Sequence, residues 1–207
     1  MTDTRDDTAD IAWMRQLAEE GGRGPMKGAA ILMAAGLIYG TASLLHWSVA
    51  SGLLSVAPTI FNVLWLGATA LFLIVVTVVS LRLRGIGGVR TTASRGANAV
   101  WSAVGWGIFA LFTSLAVIGS RMENGGIDML LSIIPSAIMA FYGLGWAVTA
   151  TLQKSRPLMV LTIACFVAAP VLALMAGMSA QYLAYSACLF GLMALPGFIL
   201  MRAANRS

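Results

Sequence analysis

Residues 58–84 of the chain read PTIFNVLWLGATALFLIVVTVVSLRLR, and no Asp, Glu, Lys or Arg occurs in this stretch before Arg82. An α-helix rises 1.5 Å per residue, so about 20 apolar residues cross the roughly 30 Å hydrocarbon core of a bilayer. A segment in lipid must pair all its backbone groups, and this run lacks the alternating pattern of a barrel strand. The stretch therefore predicts a transmembrane helix.

The same pattern occurs five more times, at about 28–50, 97–119, 127–152, 158–176 and 180–201. The chain is 59% apolar and 10% charged, whereas water-soluble domains are about 45–50% apolar and about 25% charged. The first run exceeds the 7–15 apolar residues of a cleaved signal peptide, so it is read as a retained span. The sequence predicts an all-α, polytopic membrane helical bundle with six transmembrane helices at 27–202, between a cytoplasmic tail, 1–26, and a cytoplasmic C-terminus, 203–207.

The basic residues of the loops indicate how the chain threads through the membrane. Twelve of them fall on one side of a six-span arrangement: Arg5, Arg15, Arg23, Lys27, Arg82, Arg84, Arg90, Arg95, Lys154, Arg156, Arg202 and Arg206. Arg121 alone falls on the other side. Because short cytoplasmic loops are enriched in Lys and Arg, both chain ends are predicted in the cytoplasm. The outer loops are short, so the spans form three helical hairpins, and this compactness favours a bacterial inner membrane.

The tail contains a second kind of helix. Residues 10–20 read DIAWMRQLAEE, and at 100° per residue Ile11, Trp13, Met14 and Leu17 share one arc. This pattern predicts a short amphipathic helix with charged residues on its opposite face. In one interpretation the helix lies at the cytoplasmic membrane interface or packs on its own bundle, and in the other its apolar face docks a cytoplasmic or membrane protein partner.

Several function classes are disfavoured by residues that the chain lacks. The chain has one histidine, whereas haem b usually takes two and a zinc site takes three or four ligands. It has no GxSG motif for an intramembrane serine nucleophile, and no acidic or basic residue inside a span for proton coupling. The basic residues are scattered, so the net charge of +5 does not indicate nucleic acid. We predict no enzyme activity, no cofactor and no metal.

Polar and aromatic residues cluster near the predicted outer ends of the spans. His46, Asn62, Trp65, Asp128 and Tyr182 line a shared outer mouth if the hairpins pack as one bundle. His46 and Asp128 then form a titratable pair. In the competing interpretation the rings belong to an aromatic interfacial belt, and Asp128 sits at the positive end of a helix dipole.

Two further patterns bear on function. Pro135, Pro170 and Pro196 lie inside the last three spans, where broken helices can line a transport site. Gly36 and Gly40 form a GxxxG seam, which serves packing within the chain or homo-oligomer formation. The expected function is that of a non-enzymatic interaction or regulatory membrane protein. The alternative is a small-solute channel or carrier with a cavity in the C-terminal half.

Overall fold

The computed structural model describes residues 28–57, 59–82, 92–122 and 127–204, and these contain helices and no β-strand. The helices are α1 (Gly28–Ala50), α2 (Ile60–Arg82), α3 (Thr92–Gly119), α4 (Ile127–Leu131), α5 (Ile134–Gln153), α6 (Arg156–Leu174), α7 (Ala180–Leu189) and α8 (Leu195–Ala204). Six segments are long and apolar enough to cross a membrane, which confirms the predicted all-α bundle of six spans. The tail helix predicted at about 10–20 lies outside the described residues, and the arrangement as three hairpins stays a prediction.

The fourth span, Met129–Gln153, is interrupted near its start. α4 ends at Leu131 and α5 begins at Ile134, and the Ser132 hydroxyl donates to the carbonyl of Met129 at 2.7 Å. Pro135, in the first turn of α5, has no backbone N–H to offer to the carbonyl of Leu131. The regular α-helix is therefore interrupted by a turn at Ser132 and Ile133, although Ile133 keeps helical backbone angles. By contrast, Pro170 lies within the continuous helix α6.

The first and sixth spans approach each other closely through glycine. A Cβ atom added to Gly36 would lie 2.8 Å from both Cα and Cβ of Ala194, and one on Gly40 would lie 3.0 Å from the Phe190 ring. Ala194 and Phe190 belong to a π-helical segment, Phe190–Ala194, that joins α7 to α8. Pro196 follows this segment and cannot donate to the preceding turn. The predicted GxxxG seam thus serves packing within the chain.

The core lies among α5, α6 and the sixth span, where Met139, Trp146, Leu172, Leu189 and Met193 are almost completely buried. α3 packs on α5, and α2 packs on α1. Only 6% of the best apolar window of α2 and 11% of that of α3 is buried inside the protein, against 39–44% for the first, fourth and sixth spans. α2 and α3 therefore form the flanks of the bundle and present most of their apolar surface outward.

Candidate functional site

Three helix ends converge around His46, which lies near the end of α1. Its imidazole ring is stacked against Phe61 of α2 at a centroid distance of 4.1 Å and against Tyr182 of α7 at 3.6 Å, each with an interplanar angle of 19°. The indole nitrogen of Trp65 donates to His46 Nδ1 at 3.0 Å. We call His46, Phe61, Trp65 and Tyr182 the His46 cluster.

The hydrogen bond from Trp65 fixes the chemical state of His46 Nδ1. An indole N–H is a donor only, so Nδ1 accepts with its lone pair and carries no proton. The neutral imidazole then carries its proton on Nε2. Aromatic rings stack on the imidazole from Phe61 and Tyr182. Nε2–H is therefore the donor that the cluster itself does not use.

The His46 cluster unites three of the five residues predicted at the outer mouth, namely His46, Trp65 and Tyr182. Asn62 is exposed on α2, and no hydrogen bond or ring contact within the described residues joins it to the cluster. Asp128 belongs to α4, but its side chain is outside the described part of the structure, so its pairing with His46 stays a prediction. Sequence reasoning missed Phe61, although its spacing of four residues from Trp65 places both rings on one helical face.

A second polar contact, also missed from the sequence, is made by the Gln181 side chain, which is fully buried at the start of α7. Its Nε2 donates to the carbonyl of Ser132 at 2.7 Å and to the carbonyl of Leu172 at 3.0 Å. The first carbonyl lies at the break between α4 and α5, and the second lies in the last turn of α6. One carboxamide thereby holds three segments together. The sequence signal that could have indicated Gln181 is that it is a polar residue, next to Tyr182, within an apolar run.

Two buried serines join α7 to α1 on the other side. The Ser43 hydroxyl donates to the carbonyl of Tyr182 at 2.8 Å, and the Ser186 hydroxyl donates to the carbonyl of Gly40 at 2.8 Å. Both serines are buried. Because lipid provides no hydrophobic force between helices, small residues and interhelical hydrogen bonds are what hold membrane helices together. The start of α7 is therefore bonded to the first, fourth and fifth spans.

Within the described ranges, no group of three His, Cys, Asp or Glu side chains is placed to hold a metal ion, and Cys165 and Cys188 are free thiols. No protein-family model, curated protein or solved structure matches the chain.

Proposed function

We propose that the chain is a non-enzymatic, multi-pass membrane protein that acts by binding another membrane protein. The observation that carries this proposal is the placement of Trp106 on α3. Trp106 lies near the midpoint of the span Arg95–Gly119, and 70% of it is exposed. Its ring packs edge-to-face on Phe109, with centroids 5.8 Å apart. We call Trp106 and Phe109 the α3 aromatic surface.

Tryptophan in membrane proteins is enriched at the two interfaces, where its ring meets hydrocarbon and its N–H meets water or headgroups. At mid-span neither is within reach, and hydrocarbon contains no acceptor for the indole N–H. Among the described residues, none accepts a hydrogen bond from Trp106, and its ring contacts that of Phe109. A transmembrane helix of a partner protein, presenting a hydroxyl or carbonyl oxygen at this depth, would satisfy the indole and cover the surface.

Photo-crosslinking tests this proposal. A photoreactive residue replaces Ser102, one helical turn from Trp106 and exposed on α3. We expect one protein adduct in native membranes, strongly reduced by Trp106→Leu and partly reduced by Trp106→Phe, which keeps an aromatic ring without the N–H. The matched control places the same reagent at Leu66 of α2, which is 71% exposed. The absence of a protein adduct at position 102 would show that lipid alone covers α3. Equal adducts from both positions, or an adduct indifferent to Trp106, would refute specific docking at the α3 aromatic surface.

The N-terminal helix offers a second contact for the same partner. Its predicted apolar face, Ile11, Trp13, Met14 and Leu17, extends the interaction to the cytoplasmic side. Deleting residues 1–22 should weaken the adduct formed at position 102. An unchanged yield in the truncated chain would limit the interface to the membrane.

For localisation we propose a bacterial inner membrane with both chain ends in the cytoplasm. The support is the distribution of charge, with Arg82, Arg156 and Arg202 at helix ends that an alternating six-span topology places on one side, and Arg121 on the other. In a chain without Cys165 and Cys188, an impermeant maleimide should label Ser51→Cys and Ser120→Cys from outside. It should label Gln153→Cys only after permeabilisation. The reverse pattern would invert the topology.

A second candidate function is passage of a small solute through the C-terminal half. It is favoured by the break at Ser132–Ile133, the π-helical segment Phe190–Ala194 and the buried carboxamide of Gln181. Broken helices and π-bulges are frequent at transport and other functional sites. Purified protein in liposomes should then pass a small polar solute faster than empty liposomes. Flux should fall in Gln181→Leu and persist in Gly67→Ala, where an added methyl group meets no atom within 4 Å.

A further inference from the structure

The buried carboxamide of Gln181 has a fixed orientation. Both of its hydrogen-bond partners, the carbonyl oxygens of Ser132 and Leu172, are acceptors. Only the NH₂ group can face them, because a carboxamide oxygen facing two carbonyl oxygens would be repelled. The oxygen, Oε1, is therefore turned toward the remaining side of the site. There it is buried and has no donor among the described residues.

The neighbouring hydroxyl groups do not supply the missing donor. Ser132 donates to Met129, Ser43 donates to Tyr182 and Ser186 donates to Gly40, so each hydroxyl proton is already directed at a backbone carbonyl. Pro135 leaves one more acceptor without a donor, since it has no backbone N–H to donate to the carbonyl of Leu131. At the break in the fourth span, the carbonyl of Leu131 therefore lacks the donor that an unbroken helix would supply.

We propose that Gln181 Oε1, together with the backbone carbonyl of Leu131 at the α4–α5 break, binds one small hydrogen-bond donor. The ligand donates at least two hydrogen bonds, as both water and ammonium can. It is no anion, because the site offers oxygen lone pairs and no N–H or O–H. It is small, because no part of the Gln181 side chain reaches the surface. Buried polar groups without protein partners are commonly satisfied in this way, by about three hydrogen bonds to one internal molecule.

The native chain itself allows the test, because it has three glutamines, Gln16, Gln153 and Gln181. Labelling the glutamine side chains with ¹⁵N in nanodiscs gives three carboxamide NH₂ signals, and Gln181→Met assigns one of them. We expect the Gln181 NH₂ to exchange slowly with solvent and to show a cross-peak to a bound water. Gln153, which is exposed, is the internal control and exchanges fast. A high-resolution density map should show a peak about 2.7–3.2 Å from Oε1.

The same preparation distinguishes the two donors. Adding ¹⁵N-ammonium should leave the signals and the peak unchanged if water is bound, and should give a cross-peak from ammonium to Gln181 if ammonium binds. Either result supports the site. A map that shows Oε1 accepting from a protein N–H or O–H, or an ordered Gln181 with no non-protein density within 3.5 Å of Oε1, overturns the proposal.

Discussion

Adding one methyl group at Gly36 tests whether close contact between α1 and the sixth span holds the bundle together. The Cβ of Gly36→Ala would lie 2.8 Å from Cα of Ala194 and close to its backbone nitrogen. Non-bonded carbon atoms prefer about 3.5–4.0 Å. The obstacle is backbone and cannot rotate away, so the π-helical segment and α1 must separate by roughly 1 Å.

The expected loss of stability is obtained by comparison with glycines that have open space around them. A methyl group added to Gly105 or Gly67 would meet no atom within 4 Å. All three substitutions raise the intrinsic helix propensity alike, so the difference between them isolates the packing cost. Forcing an extra methyl group into a packed interface costs about 1–3 kcal/mol. Gly40→Ala should fall between these cases, since its neighbour is the movable ring of Phe190 at 3.0 Å.

Unfolding in a graded mixture of mild detergent and dodecyl sulfate, followed by circular dichroism, measures these differences. We expect the free energy of unfolding of Gly36→Ala to be about 1–3 kcal/mol below that of Gly105→Ala. The order of stability should be Gly105→Ala, then Gly40→Ala, then Gly36→Ala. If Gly36→Ala and Gly105→Ala differ by less than about 0.5 kcal/mol, the helices have room to adjust and the close approach is not what stabilises the fold.

Three further expectations use the same unfolding assay. Gly177→Ala should destabilise the protein by about 1–2 kcal/mol although no atom lies within 4 Å of the added carbon, because its φ of +81° is unfavourable for any residue with a Cβ. A loss no larger than that of Gly67→Ala would contradict this reasoning. Lys154→Gly should raise the free energy of unfolding by up to about 1 kcal/mol, because Lys154 ends α5 with a φ of 49° and glycine adopts this conformation freely. A loss of stability would show that the contacts of the lysine side chain outweigh the backbone effect. Trp65→Phe keeps an aromatic ring and removes the hydrogen bond to His46, so it should cost about 0.6 kcal/mol and at most about 1.7 kcal/mol, as is typical of interhelical hydrogen bonds in membranes. A double-mutant cycle with His46→Phe measures that bond directly, and a coupling of zero would mean that the bond contributes nothing.

The spans were predictable because hydrocarbon thickness imposes a simple rule on length and charge. The apolar run at about 28–50 coincides with the helix Gly28–Ala50, and the run at about 158–176 overlaps the helix Arg156–Leu174. Pro135 was a sequence signal for the interruption in the fourth span, since the missing backbone donor of a proline is visible in the sequence. Pro170 shows the limit of that rule, because α6 remains continuous around it. A proline indicates a lost hydrogen bond, but the neighbouring helices decide whether the chain bends.

The contacts between distant spans were not predictable in the same way. Ser43 and Tyr182 are joined by a hydrogen bond across 139 positions of sequence, and nothing in the local pattern of either residue selects the other. The His46 cluster was partly predicted, because residues near the same ends of their spans come together whenever the bundle closes. Gln181 was missed because its role depends on two carbonyls, at Ser132 and Leu172, that lie in other spans and that no local pattern around Gln181 indicates.

The His46 cluster is one of the contacts that attach α2 to the rest of the bundle. Ala68 is the one buried residue of α2. α2 contacts the rest of the bundle through the rings of Phe61, Trp65 and Phe72, which pack on His46, Tyr39 and Tyr182. Hydrogen bonds from Trp65 to His46 and from Tyr39 to Thr69 add to these ring contacts. Lipid exerts no hydrophobic force between helices, and α2 buries the smallest share of its apolar window among the six spans, so these few contacts are what hold it. Local opening in proteins draws on such low-stability elements. The His46 cluster therefore attaches the flanking helix α2 to the bundle, and its role in an outer mouth stays a prediction.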